Sequence, residues 1–145
     1  MNINIHKAIQ IAAAEGHGGL VGVLLSLGAD SNKRDNEGFT SLHHACQSQS
    51  PQALEICRLL LKDGKAQAGA LTNNGSSPLH LFCTHEPVDA GLYESTIELM
   101  KSCGADLNAQ TKIGETPLFQ AASLGLSNVV YSLLRCGSNV NLRTK

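Results

Sequence analysis

The chain has 145 residues, enough for one domain, with 42% hydrophobic residues and a formal net charge of −1. Its longest basic cluster is Lys33-Arg34, so the electrostatic footprint of a nucleic-acid binder is missing, and neither DNA nor RNA is an expected partner. The five cysteines are odd in number and fall mostly on apolar helix positions. That usage points to reduced thiols in the cytosol or nucleus, or in the host cytosol for a protein of an intracellular pathogen.

Taken in order, the first helices are expected at about residues 7–15 and 20–27, separated by the turn Gly16-His17-Gly18-Gly19 and ended by Gly28 in a left-handed conformation. The apolar run 20–27 has no basic segment close before it and is too short to cross a bilayer, so it reads as a helix and neither as a signal peptide nor as a membrane span. Residues 29–39 follow as a finger-like turn around Asp35-Asn36-Glu37-Gly38, with glycine placed for positive φ. Thr40 is positioned to cap the next helix, and Ser50-Pro51 to restart a second one, a hydroxyl at the cap and proline in the first turn. A second finger, 65–76, carries Gly69 and Asn73-Asn74-Gly75. Ser77-Pro78-Leu79-His80 opens another helix pair, interrupted by the longest insertion, His85-Glu86-Pro87-Val88-Asp89-Ala90-Gly91. Such connections often carry function, but drift on a solvated corner is the favoured reading of this one. The last pair begins at Thr116-Pro117-Leu118-Phe119, and 140–145 read as the first strand of a further finger, leaving either a fragment of a longer array or an apolar face partly open.

These elements are one unit written four times. Lys7, Thr40, Ser77 and Thr116 start matched segments, so the periods are 33, 37 and 39 residues, the range of a stacked solenoid. The closing Gly28-Ala29-Asp30-Ser31-Asn32 and Gly104-Ala105-Asp106-Leu107-Asn108 repeat as well. On Thr40-Ser41-Leu42-His43, Ser77-Pro78-Leu79-His80, Thr116-Pro117-Leu118-Phe119 and these endings, the chain resembles the ankyrin-repeat family over almost its whole length. The resemblance implies an all-α solenoid of helix-turn-helix units joined by β-hairpin-like fingers. It implies one domain over 1–145 with repeats at about 1–34, 35–71, 72–110 and 111–143, the first a degenerate capping repeat and a C-terminal cap absent.

The same resemblance assigns function to surface. In that family a partner protein lies in the concave groove of finger tips and first helices. Carried over residue by residue, the groove is Arg34, Asn36, Glu37, Phe39, Gln47, Asn73, Asn74, Ser76, Thr84, Gln110, Lys112, Ile113, Glu115, Ser123 and Leu124. Phe39 and Ile113 stand out as apolar residues at finger positions, the form of an interface anchor, although Phe39 could equally fold over a neighbouring finger. The expected protein is monomeric, non-enzymatic and free of cofactor and membrane. The alternative is the recognition arm of a larger protein or effector.

Catalytic and metal chemistry find little support. His43 and His80 occupy the family's structural histidine slot, with no nucleophile and orienting acid beside them. A zinc site from His43, His44 and Cys46, or from His80, Cys83 and His85, would need side chains that point apart, because both cysteines share the small buried slot of Ala13 and Ala122. Asp30 and Asp106 belong to turns, and Glu94 with Glu98 to a solvated helix face.

Overall fold

The computed structural model describes residues 4–139, which form eight helices and, among the described residues, no strand. They are α1 (Ile5–Glu15), α2 (Gly18–Ser26), α3 (Ser41–Gln47), α4 (Ala53–Lys62), α5 (Pro78–Phe82), α6 (Ala90–Ser102), α7 (Pro117–Ser123) and α8 (Ser127–Arg135). The odd-numbered helices pack in one row and the even-numbered helices in a second, each helix touching the equivalent helix of the next pair. This is the all-α solenoid expected from the repeats. The fingers are hydrogen-bonded turns rather than strands.

The first helices of the second, third and fourth pairs each start where a hydroxyl meets an orphan donor. Thr40, Ser77 and Thr116 accept from the N–H of His43, His80 and Phe119 at 3.4, 3.3 and 3.1 Å. Pro78 and Pro117 occupy the first helical position, where a missing N–H costs nothing. Between the rows, Ile9, Leu42, Ile56, Leu60, Leu79, Ile97, Met100, Val129 and Leu133 are fully buried. Full burial of each such side chain contributes about 1.5–3 kcal/mol, and most of it is available only because the neighbouring pair supplies the other wall.

Boundaries differ from the sequence reading in five places. Helix α1 begins two residues earlier, because Asn4 accepts from His6 and Lys7 N–H, both at 3.1 Å, and α2 begins already at Gly18. Ser50-Pro51 does not cap α4: the Ser50 hydroxyl accepts from Gln52 N–H in a separate turn, and α4 starts at Ala53 behind a Gln52 that makes no side-chain cap. Gly28, Gly104 and Gly137 take positive φ, but in the second pair Lys65 does so at φ 52°. The finger there is one residue longer, and the left-handed step moves one residue along with it. The insertion of the third pair splits: its last residues extend α6 to 13 residues, capped by Asp89, and the rest forms a loop. Residues 140–145, read as a further finger strand, lie outside the described residues.

Candidate partner-binding surface

The three fingers share one construction. Asp35, Thr72 and Thr111 each donate a backbone N–H to the carbonyl four residues on, at 2.9, 2.8 and 2.9 Å, and Gly38, Gly75 and Gly114 turn the chain at φ 83°, 79° and 87°. The first residue of each finger also uses its side chain: Asp35 Oδ1 accepts from Phe39 N–H at 2.9 Å, and the Thr72 and Thr111 hydroxyls accept from Ser76 and Glu115 N–H at 3.2 Å. The tips are then laced together. Asn73 N–H donates to Glu37 O at 3.0 Å, Lys112 N–H to Asn74 O at 3.2 Å, and Asn73 Nδ2 to Asn36 O at 3.0 Å. Arg34 reaches from one finger to Leu71 O of the next at 2.6 Å.

Behind the fingers the two histidines lock each first helix to the next finger. His43 Nδ1 accepts from Thr40 N–H at 3.0 Å, so its proton sits on Nε2, which donates to Ser76 O at 3.2 Å. His80 repeats this with Ser77 N–H at 3.0 Å and Glu115 O at 2.9 Å. Burial lowers both imidazoles, that of His43 to about 4, so each is the neutral tautomer this geometry needs. Gln10 takes the same slot in the first pair and donates to Lys33 O at 2.8 Å. In the last pair the slot holds Phe119, which has no donor and is exposed.

The residues carried over from the family fall into two groups. Arg34, Asn36, Glu37, Asn73, Asn74, Lys112 and Ile113 are exposed along the laced finger tips, with Phe39, Ser76, Gln110 and Glu115 half-buried among them. Gln47, Thr84, Ser123 and Leu124 are exposed at the other ends of the first helices, about 10 Å away given the 1.5 Å rise per residue. Ile113 is 67% exposed. Phe39 lies against the rings of His43 and His44, with centroids at 5.5 and 5.1 Å, folding over the helix that follows it. Beneath it His44 Nε2 meets Asp35 Oδ2 at 3.0 Å, and hydrogen bonds from Phe39, His44 and Glu37 hold the Asp35 carboxyl low against the opposing effect of its burial, the largest single influence on it.

The side chains weighed as zinc ligands do point apart. His43 faces Ser76, His44 faces Asp35, Cys46 Sγ lies 3.6 Å from Cys57 Sγ, and Cys83 Sγ accepts from Tyr93 OH. The Cys46 and Cys83 thiols are pushed up by burial, Cys83 to about 12. Ala122, in the same slot, is exposed on the outer side of the last pair. Asp30 and Asp106 make the expected turns, accepting from Asn32 and Asn108 N–H at 2.9 Å. Glu94 is not free on a solvated face: it pairs with Arg135 at 3.3 Å, tying α6 to α8.

A family model for ankyrin repeats, in three copies, matches residues 1–70 and 53–144. The chain belongs to the ankyrin-repeat family. It is 39% identical over 92 residues, 63% of this chain, to human ankyrin repeat domain-containing protein 53, of which the match covers 16%. Mouse B-cell lymphoma 3 protein homolog matches at 31% over 84% of this chain and 26% of its own length. Human ankyrin repeat and SOCS box protein 16 matches at 35% over 94% of this chain and 28% of its own length. The chain thus spans about a quarter or less of these relatives. Ankyrin repeats are in general protein–protein interaction modules. Among the described residues no helix is long and apolar enough to cross a membrane.

Proposed function

We propose that this chain is a non-enzymatic module that binds a partner protein along its finger tips and first helices, acting as a monomer and without nucleic acid or cofactor. The observation that carries the reading is the ladder of backbone bonds from Glu37 to Asn73 and from Asn74 to Lys112, which holds exposed side chains of three successive fingers in one row. A surface ordered before binding loses little conformational entropy on association, so its contacts contribute fully to affinity. Ile113, exposed between Lys112 and Glu115, is the apolar anchor of that row, and mixed charge from Arg34 to Glu115 forms its rim. Phe39 supports the row from below by packing on His43 and His44.

The test is capture from cytosolic extract by the wild-type chain and by an Ile113→Asp, Lys112→Glu variant, with the fold of each verified by circular dichroism. Proteins held by the wild type and weakened about tenfold or more by the variant place the partner on the fingers. Equal capture by both sinks this reading. A second reading is favoured by the short coverage of the relatives: the repeats serve as the recognition arm of a longer protein whose other regions act on what the fingers hold.

A further inference from the structure

At the ends of the helices away from the fingers, the connection between α3 and α4 stands beside the inserted loop between α5 and α6. Together they enclose a cleft of about 430 Å³. Leu54, Phe82, Leu92 and Tyr93 line it with apolar surface, and Pro87 and Val88 of the inserted loop form a wall. The back of the cleft is rigid, because the Phe82 and Tyr93 rings stack 4.4 Å apart at 7° and Tyr93 OH donates to Phe82 O. Val88, at the loop tip, is fully exposed.

The rim has one sign of charge. Glu55, Glu86 and Asp89 are exposed around the opening, no Lys or Arg lines it, and none of the three belongs to an ion pair found among the described residues. Glu86 accepts from Asn128 Nδ2 at 2.6 Å and Asp89 caps α6 at Leu92 N–H, bonds that orient these carboxylates without cancelling their charge. His85, which also lines the cleft, has its imidazole pKa lowered by burial, which favours the neutral ring. The cleft lies within the roughly 300–1,000 Å³ range of ligand sites, and Val88, which walls it, also stands fully exposed as apolar surface at the loop tip. An extended segment covers both.

We propose that this edge is a second docking site, separate from the fingers, for a segment of a partner protein that seats apolar side chains in the cleft and sets Lys or Arg beside them against Glu55, Glu86 and Asp89. The insertion at 85–91 supplies one wall, two of the carboxylates and the cap of α6. On this reading it is a built part of the site and not drift.

The probe is a random dodecapeptide phage library selected on the immobilised chain, with enriched peptides synthesised, fluorescein-labelled and titrated by anisotropy. The expected result is a class of peptides with an apolar residue within two positions of Lys or Arg. Their affinity falls about tenfold or more with Glu55→Lys, Glu86→Lys together, falls likewise with Val88→Asp, and is unchanged by Ile113→Asp. All three variants alter exposed side chains, and circular dichroism checks that each folds. Failure to enrich any peptide, enrichment only of peptides indifferent to the Glu55/Glu86 reversal, or charge-sensitive peptides lacking an apolar anchor each overturns the proposal. Peptides lost only with Ile113→Asp overturn it while upholding the finger site.

Discussion

His43 shows how a single residue couples a local cap to the stack. Its ring accepts from Thr40 N–H and donates to Ser76 O, so it must carry one proton, on Nε2. Burial lowers its pKa from 6.5 to about 4 in the fold. A histidine with a depressed folded pKa binds its second proton more readily in the unfolded chain, so stability is complete above pH 6.5 and is lost as pH falls from there towards about 4. His80, lowered by the same cause, adds to the slope in the same direction. Thermal melts between pH 7.5 and 4.5 should therefore show a midpoint that declines below about pH 6.5. A His43→Gln variant, less stable at neutral pH, should decline less. A flat profile for the wild type would show that the imidazole is not held neutral.

The finger is the element in which sequence and function meet most closely. Gly38 is required there twice over: φ is 83°, and a Cβ would sit 2.9 Å from Asn73 N and 2.8 Å from Asn73 Oδ1 of the next finger. Replacing it with alanine adds left-handed strain and pushes apart the Asn73–Glu37 bond, for a destabilisation of about 1–3 kcal/mol. Gly28→Ala provides the comparison, since that position has a similar φ of 94° and open space around its Cβ. Chemical denaturation of both variants should give a larger loss for Gly38→Ala. Equal losses would mean that the finger contact contributes nothing to stability.

At the scale of the whole molecule, the main helix contacts among the described residues run within a pair and between successive pairs, so stability is approximately a sum of pair and interface terms. Interior pairs α3–α4 and α5–α6 are covered on both sides. The outer pairs are not: Ile11, Leu20, Val23 and Leu27 are exposed at one end, and Phe119, Leu124, Tyr131 and Leu134 at the other. Hydrogen exchange followed by mass spectrometry should find the slowest amides in α4 and α6 and faster exchange in α8, which among the described residues has a second helix, α6, on one side only. Uniform protection along the chain would contradict a nearest-neighbour stack.

The sequence alone determined the repeat, because a unit that buries its face against a copy of itself must repeat its apolar spacing, its capping hydroxyl and its turn glycine. Thr40 was legible as a cap since the N–H it satisfies lies three residues away, and Ser77 and Thr116, in the matched positions, make the same bond. Gly38 and Gly75 were legible as turns since only the local backbone sets the sign of φ. Ser50 misled for the converse reason: its hydroxyl had an equally near alternative in its own turn. The residues that the family pattern assigned to the fingers lie along the laced tips, but Phe39 and Ile113, alike in sequence, parted company, one packed on two imidazoles and the other left in water. The insertion at 85–91 was visible as an extra length, whereas the facing segment at 48–55 and the acidic rim they share were not. The two segments lie 30 or more residues apart, and no local rule relates them. Only the stacking of one pair on the next decides which side chains share a cleft, because that neighbourhood is set by tertiary packing and not by spacing along the chain.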